Sequence, residues 1–401
     1  MTAADPSLLI VGVAVIASLS MAWALGASSN SPPFAPAVGA NAVPTMRAAF
    51  LVGTFAALGA IAQGGSISET VGNDLINGVS ITPLAATAGL LTAAAFIAVG
   101  VRTGYPIPAA FAVTGAVIGA GLSLGGAPAF GTYQRLAAFW IAVPFVSASL
   151  AYGTATLLRR DDVPEVPGVP LLAGIVGFIL ANVRLAIFPA ASGGTLAGFV
   201  SALLGLEISL FGAYTLVMLV TSLAFGALVF YAMRRSMLDS VDGGIRQFLI
   251  GLGAVVAFSS GGSQVGLATG PLEPLFDSLG TPGILLLLLG SVGILLGAWM
   301  GSPRLLQAVS REYSQLGVRR SIAALIPGFV IAQVAIALGI PISFNNIIIS
   351  SVIGSGLVVG STGVLGRKIG VTVAAWLVTL VASAGVAFGL YRALALVSGG
   401  A

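Results

Sequence analysis

The chain has 401 residues, 57% of them hydrophobic and 7% charged, with a mean hydropathy of +1.08. Soluble domains carry about 25% charged residues, so this chain cannot cover a water-facing surface and reads as an integral membrane protein. Cysteine and histidine are both absent and the net charge is only +4. That composition excludes disulfides, thiol nucleophiles, Ser-His pairs and His-based metal or proton sites, and it argues against an enzyme and against a nucleic-acid partner.

The first apolar run, 7–25, follows Asp5 with no Lys or Arg before it. A cleavable signal peptide needs a basic flank, so this run is taken as the first span. Further apolar windows lie near 48–64, 81–100, 106–124, 132–157, 168–188, 212–233, 245–260, 280–300, 321–338, 342–360 and 369–393. The spacing predicts an all-α polytopic protein of about 12 transmembrane segments, each near the ~20 residues a bilayer requires. If every window crosses, Arg47, Arg102, Arg159-Arg160, Arg234-Arg235 with Arg246, the stretch from Arg304 to Arg320 and Arg367-Lys368 share one side. Positive charge marks that side as cytoplasmic. The acidic "SISETVGND" (66–74), Glu207 and both termini then face outward in a multi-pass protein of the cell membrane. Arg135 fits this pattern less well. So does Arg184, which sits inside the apolar run "FILANVRLAIF" (178–188) and either lines an anion path or snorkels to an interface.

Two stretches repeat. "GYPIPAAFAVTGAVIGAGL" (104–122) and "GIPISFNNIIISSVIGSGL" (339–357) share eight of nineteen positions at an offset of 235. The same offset carries the first five windows onto the last five, "GASS" (26–29) onto "GGSQ" (261–264), and Pro36 onto Pro271. A shift of seven spans is odd, so the copies are expected upside down relative to one another. The chain therefore divides into a first repeat, 1–157, a middle part, 158–244, and a second, inverted repeat, 245–401. The middle part starts with the Pro-rich, cytoplasmic "LRRDDVPEVPGVP" (158–170) and adds two spans.

Inverted repeats place a binding site at the bilayer midplane, where broken helices of the two copies meet. Polar residues cluster at such interruptions here, in "GASSNSPP" (26–33), "SSGGSQ" (259–264) and "PISFNN" (341–346). "GYPIP" and "GIPIS" would aim two helix N-termini at one point, a cradle for an anion. Helix-to-helix hydrogen bonding is the plainer explanation for any single Ser.

These residues resemble the inorganic phosphate transporter (PiT) family, whose two repeats each carry a GANDxANxxG signature followed by a Pro-Val-Ser-Thr-Thr-His element. "GASSNSPPFAPAVG" (26–39) aligns with the first signature and "FSSGGSQVGLATGPL" (258–272) with its second copy. "GYPIPAAF" and "GIPISFNN" align with the two Pro-Val-Ser-Thr-Thr-His elements, and "GGSISETVGNDLING" (64–78) resembles the family's Glu-Thr loop. The resemblance covers nearly the whole chain and implies a homodimeric secondary carrier in the lipid bilayer that moves an inorganic anion, phosphate before sulfate. It also implies a substrate site at Ser28, Ser29, Asn30, Ser263, Gln264, Ser343, Asn345 and Asn346, with a coupling Na⁺ near Ser29 and Gln264 and no other cofactor.

The chain departs from the family's letters at the points that matter for coupling. Ser29 and Gln264 stand where the family has aspartates, and Ala56 where it has a glutamate. Pro108, Ala109, Ala110 and Phe111 replace the first Ser-Thr-Thr-His. Loss of carboxylates weakens the case for a hard cation, which prefers charged oxygen ligands. An uncoupled anion channel and a transport-inactive partner subunit on the same scaffold are the alternatives.

Overall fold

The computed structural model describes residues 8–103, 107–159, 165–206, 208–316, 318–358 and 366–398. Gly104 to Pro106, the centre of the linker at 160–164, and Glu207 lie outside the described residues. The helices of the first copy are α1 (Leu8–Ser28), α2 (Ala35–Gly39), α3 (Thr45–Gln63), α4 (Gly65–Asn73), α5 (Pro83–Thr103), α6 (Ala109–Ser123) and α7 (Phe130–Arg159). The middle part holds α8 (Glu165–Leu180), α9 (Leu196–Leu204) and α10 (Leu216–Asp239). The second copy follows as α11 (Val241–Thr269), α12 (Glu273–Ser278), α13 (Gly283–Leu316), α14 (Val318–Leu338), α15 (Phe344–Leu357) and α16 (Gly366–Val397). Two minimal antiparallel ladders, Ile76–Asn77 with Ala127–Pro128 and Ser209–Phe211 with Tyr214–Thr215, close surface connections.

Every predicted window coincides with a helix. Among the described residues, nine helices are long and apolar enough to cross a membrane, and three apolar helices are shorter. The short ones are α6, α8 and α15. At 1.5 Å per residue the 15 residues of α6 reach about 22 Å, less than the ~30 Å hydrocarbon core. α6 and α15 are thus too short to cross that core alone, and the chain before each is extended at Pro108 and Ser343.

Three local expectations need correction. The sixth window, predicted to reach 188, ends at Leu180, because Asn182 turns its carboxamide onto the Phe178 carbonyl (2.9 Å) and the Ser222 hydroxyl (2.8 Å). Arg184 therefore lies in an irregular connection with its side chain exposed, and not within a span. The described residues of the linker expected over 158–170 are helical: α7 runs to Arg159, and α8 accommodates Pro167 in its first turn and Pro170 one turn further on. Lastly, Pro36 is not the positional counterpart of Pro271. A 3₁₀ turn follows α1 at Pro32–Phe34 and follows α11 at Gly270–Leu272, so Pro33 matches Pro271. Pro32 and Pro33 stop the first helix early, while residues 264–269 contain no proline and α11 continues.

The offset of 235 is otherwise written into the helix ends. α5 begins at 83 and ends at 103, and α14 at 318 and 338; α6 begins at 109 and α15 at 344. Packing partners exchange in the same way. α1 lies along α13 as α3 lies along α11, and α6 lies along α16 as α15 lies along α7. Glycine makes these crossings close. A Cβ on Gly26 would fall 2.1 Å from the Ile294 carbonyl oxygen, and one on Gly261 would fall 1.8 Å from that of Ala56. Gly119 and Gly354, the shared glycines of the repeated stretch, abut the carbonyls of Ala384 and Ala148, where an added Cβ would stand 2.0 and 2.1 Å from the oxygens. The repeated glycines are thus backbone-to-backbone contacts between helices. At the centre, Ser18 on α1 donates to the Ala268 carbonyl on α11 at 2.9 Å. α11 is the most enclosed of the long helices and α10 the most exposed.

Candidate functional site

The interrupted helix α1 delivers the first group. Past Ser28 the chain turns, and Ser29, Asn30 and Ser31 are all buried. The Ser28 hydroxyl closes on its own helix at the Ala24 carbonyl, 2.7 Å away, so it is already engaged. The Asn30 Oδ1 accepts from the Ser260 hydroxyl of α11, and its Nδ2 reaches the Leu25 carbonyl at 3.5 Å. Ser31 donates to Ser302 on α13 at 2.7 Å.

The second group comes from α11, one turn beyond Ser260. Ser263 and Gln264 are completely buried. Gln264 donates through Nε2 to the Ile342 carbonyl at 3.1 Å. That carbonyl belongs to the extended lead-in of α15, where Ser343 is the N-cap residue (φ −103°, ψ 114°) with no side-chain cap on the helix. Asn345 donates from Nδ2 to the Ile107 carbonyl at 3.4 Å, in the matching lead-in of α6. Pro108 caps α6 in a similar extended conformation (φ −77°, ψ 113°), again with no side-chain cap. Three hydrogen bonds, Ser260 to Asn30, Gln264 to Ile342 and Asn345 to Ile107, thus tie all four motif segments together. The first-turn N–H groups of α6 and α15 keep their partial positive charge and remain uncapped by side chains.

Buried polar groups usually find partners, yet some here have none. Among the described residues, seven buried side-chain N or O atoms lack a hydrogen bond, and three belong to predicted site residues: Ser263 Oγ, Gln264 Oε1 and Asn346 Oδ1. An unpaired buried polar atom costs about 1–3 kcal/mol. A bound ligand removes that cost.

One wall of the site is aromatic. Phe111, at the position equivalent to Asn346, stacks on Trp140 with centroids 4.1 Å apart and lies 6.3 Å from Trp376. Trp140 donates through Nε1 to the Pro341 carbonyl at 2.8 Å, which fixes the α15 lead-in from the other side. The cradle is therefore unequal: side-chain oxygens on the α15 side, rings on the α6 side. Among the described residues no group of three or more acidic residues could hold a metal ion.

Residue-by-residue reading of motifs missed a second polar cluster. Gln63 at the end of α3 and Gln333 on α14 exchange carboxamide hydrogen bonds at 3.0 and 3.3 Å. Gln333 also donates to Ser259 at 2.7 Å, and Gln63 to the Arg184 carbonyl at 3.0 Å. Their signal was present in the sequence as isolated carboxamides in apolar runs, which are costly in a membrane interior. Ser260 was equally visible within "SSGGSQ" but has no counterpart in the family's signature.

Residues 25–387 match the phosphate transporter family. A proposed phosphate permease of Pyrococcus furiosus is 24% identical over 418 residues, covering 99% of this chain and 98% of that protein. One of Helicobacter pylori is 25% identical over 373 residues, covering 87% of this chain and 68% of its own length. Among solved structures, a sodium-dependent phosphate transporter superposes with a TM-score of 0.82 at 21% identity, covering 97% of this chain and all of that one.

Proposed function

The chain belongs to the phosphate transporter family, and on that premise we propose that it is a secondary carrier moving an inorganic oxyanion, phosphate before sulfate, across the cell membrane by alternating access. The observation that carries this reading is the set of unpartnered, buried atoms Ser263 Oγ, Gln264 Oε1 and Asn346 Oδ1, drawn from two motif segments that hydrogen bonds hold together. Uncapped helix N-termini at α6 and α15 supply positive potential without a side-chain cation. Ser28, Ser29, Asn30, Ser343 and Asn345 complete the proposed substrate site, Asn30 and Asn345 by fixing its walls.

The two copies, 1–157 and 245–401, would rock against one another around this site. The shift of seven spans from one copy to the next, an odd number, supports an antiparallel arrangement, with both termini outside. Cation coupling is proposed to be weak. Neutral Ser29 and Gln264 replace the carboxylates that would hold Na⁺, and neutral oxygens are poorer ligands for a hard cation. Assembly as a homodimer rests on the family resemblance alone.

Uptake of labelled phosphate into vesicles containing the purified chain tests the reading. Saturable phosphate uptake that falls less than about tenfold when Na⁺ is replaced by K⁺ is expected. Absence of phosphate and sulfate uptake under every gradient refutes the carrier. The same replacement of carboxylates favours one other reading, an uncoupled channel, which would show ohmic anion current and no accumulation above equilibrium.

A further inference from the structure

Two clefts open on the surface of the helix bundle, and they differ in charge. One, of about 620 Å³, is formed by α1, α5 and α13 and is lined by Leu19, Trp23, Leu91 and Leu296, with no charged residue. The other, of about 540 Å³, lies where α3 packs on α11 and is lined by Val43, Pro44, Met46, Phe50 and Ile250 together with Arg47. Its walls are held in place. Asn41, the one non-glycine residue at positive φ (53°) among the described residues, turns the chain between α2 and α3, and the three residues after it all line the cleft. The Phe50 ring stacks on Trp299 with centroids 5.3 Å apart, and Trp299 Nε1 donates to the Phe50 carbonyl at 3.3 Å. Arg47 is exposed and, among the described residues, has neither an ion-pair nor a hydrogen-bond partner. Arg246, also exposed and unpaired, sits four residues before Ile250 on α11, so it shares that residue's face one turn nearer the helix start. The acidic residues closest to it in sequence, Asp239 and Asp242, form an ion pair with neither arginine.

Both arginines belong to the set that positive charge assigns to the cytoplasmic side. An apolar slot with unpaired guanidinium groups at its cytoplasmic end suits a molecule that has an apolar chain and an anionic head. Guanidinium pairs with phosphate through two parallel N–H bonds, and basic pockets between membrane helices on this side take anionic head groups. A zwitterionic head carries its own cation, which competes with arginine for the same phosphate. We infer that the cleft between α3 and α11 is a binding site for an anionic phospholipid of the cytoplasmic leaflet. One acyl chain lies against Val43, Phe50 and Ile250, and the phosphate is held by Arg47 and Arg246. α3 belongs to the first copy and α11 to the second, so a single lipid touches both. The site is separate from the central cradle and does not depend on what the chain carries.

The test titrates the full-length protein, stripped of native lipid in detergent, with phosphatidylglycerol or phosphatidylcholine of identical acyl chains, and counts bound lipid by native mass spectrometry. Phosphatidylglycerol is expected to bind at least roughly fivefold more tightly, the contribution of one cation near a membrane surface. The double variant Arg47→Gln with Arg246→Gln is expected to bring the two lipids within about twofold of each other. Arg234→Gln, on a residue that does not line the cleft, is expected to keep the preference. Ile250→Trp fills the slot and is expected to weaken phosphatidylglycerol binding at least roughly fivefold with both arginines in place; where that variant fails to fold, the arginine variants decide. Equal affinity for the two lipids, or a preference that survives in the double arginine variant, overturns the inference. A preference lost in the arginine variant but untouched by Ile250→Trp also overturns it, by assigning the effect to surface charge without the cleft. Displacement of phosphatidylglycerol by inorganic phosphate, and not by chloride at equal ionic strength, overturns it by assigning the arginines to a free anion.

Discussion

The hydrogen bond from Ser260 to Asn30 joins a broken helix of one copy to the central helix of the other. Both residues are completely buried, so removing either partner strands the other. Asn30→Ala and Ser260→Ala are each expected to lower stability by about 1–3 kcal/mol. The double variant is expected to cost less than the sum, and thermal unfolding of all four proteins in detergent measures that coupling. This pair also shows what a sequence discloses about a site. Asn30, Gln264 and Asn345 were legible because a carboxamide in an apolar run demands a reason, and all three do bridge segments. Ser28 was singled out as a polar residue in the same motif, yet its hydroxyl turns back to the Ala24 carbonyl, a choice between rotamers that no letter records. Gln63 and Gln333 went unread because their pairing joins positions 270 apart with no motif to connect them.

At the scale of helices, the repeated glycines set which substitutions the crossings accept. Gly354 faces a backbone carbonyl that cannot move aside, whereas Gly356, two residues on, has open space for at least 4 Å around the point where a Cβ would stand. Gly354→Leu is therefore expected to abolish monodisperse expression, and Gly356→Ala to leave expression and stability within about 0.5 kcal/mol of the parent; size-exclusion chromatography and thermal unfolding distinguish the two. Hydropathy located all twelve apolar helices because burial of apolar length dominates their energy. It could not locate their ends. Leu180 ends α8 through the Asn182 side chain, and the 3₁₀ turn after α1 begins three residues earlier than the one after α11 in the shared frame because of Pro32 and Pro33. These are contests between one hydrogen bond or one proline ring and continued helix, which windowed averages do not resolve.

For the whole molecule, the proposed inverted relation of 1–157 and 245–401 requires the two parts to cross the membrane in opposite directions. The absence of native cysteine makes single thiols unambiguous probes. Ser209→Cys and Ser398→Cys are expected to react with a membrane-impermeant maleimide in intact cells, and Asp239→Cys only after permeabilisation. All three positions are exposed. Labelling of Asp239→Cys from outside with protection of Ser209→Cys and Ser398→Cys would reverse the proposed orientation, whereas labelling of all three from outside would break the proposed topology.

The aromatic wall beside the cradle gives the protein its own optical reporter. Of four indoles, Trp23 and Trp299 are 42% and 39% exposed on the outer surface of the bundle, whereas Trp140 is stacked on Phe111 and tethered to the Pro341 carbonyl next to the start of α15. Any shift of that lead-in changes the field on Trp140 and, through Phe111, on the buried Trp376 (centroids 6.3 Å apart), while the exposed pair stays constant. Emission excited at the red edge should consequently track occupancy in real time, with Trp140→Phe removing the larger part of the change and Trp140→Phe with Trp376→Phe silencing it, without the need for an attached dye.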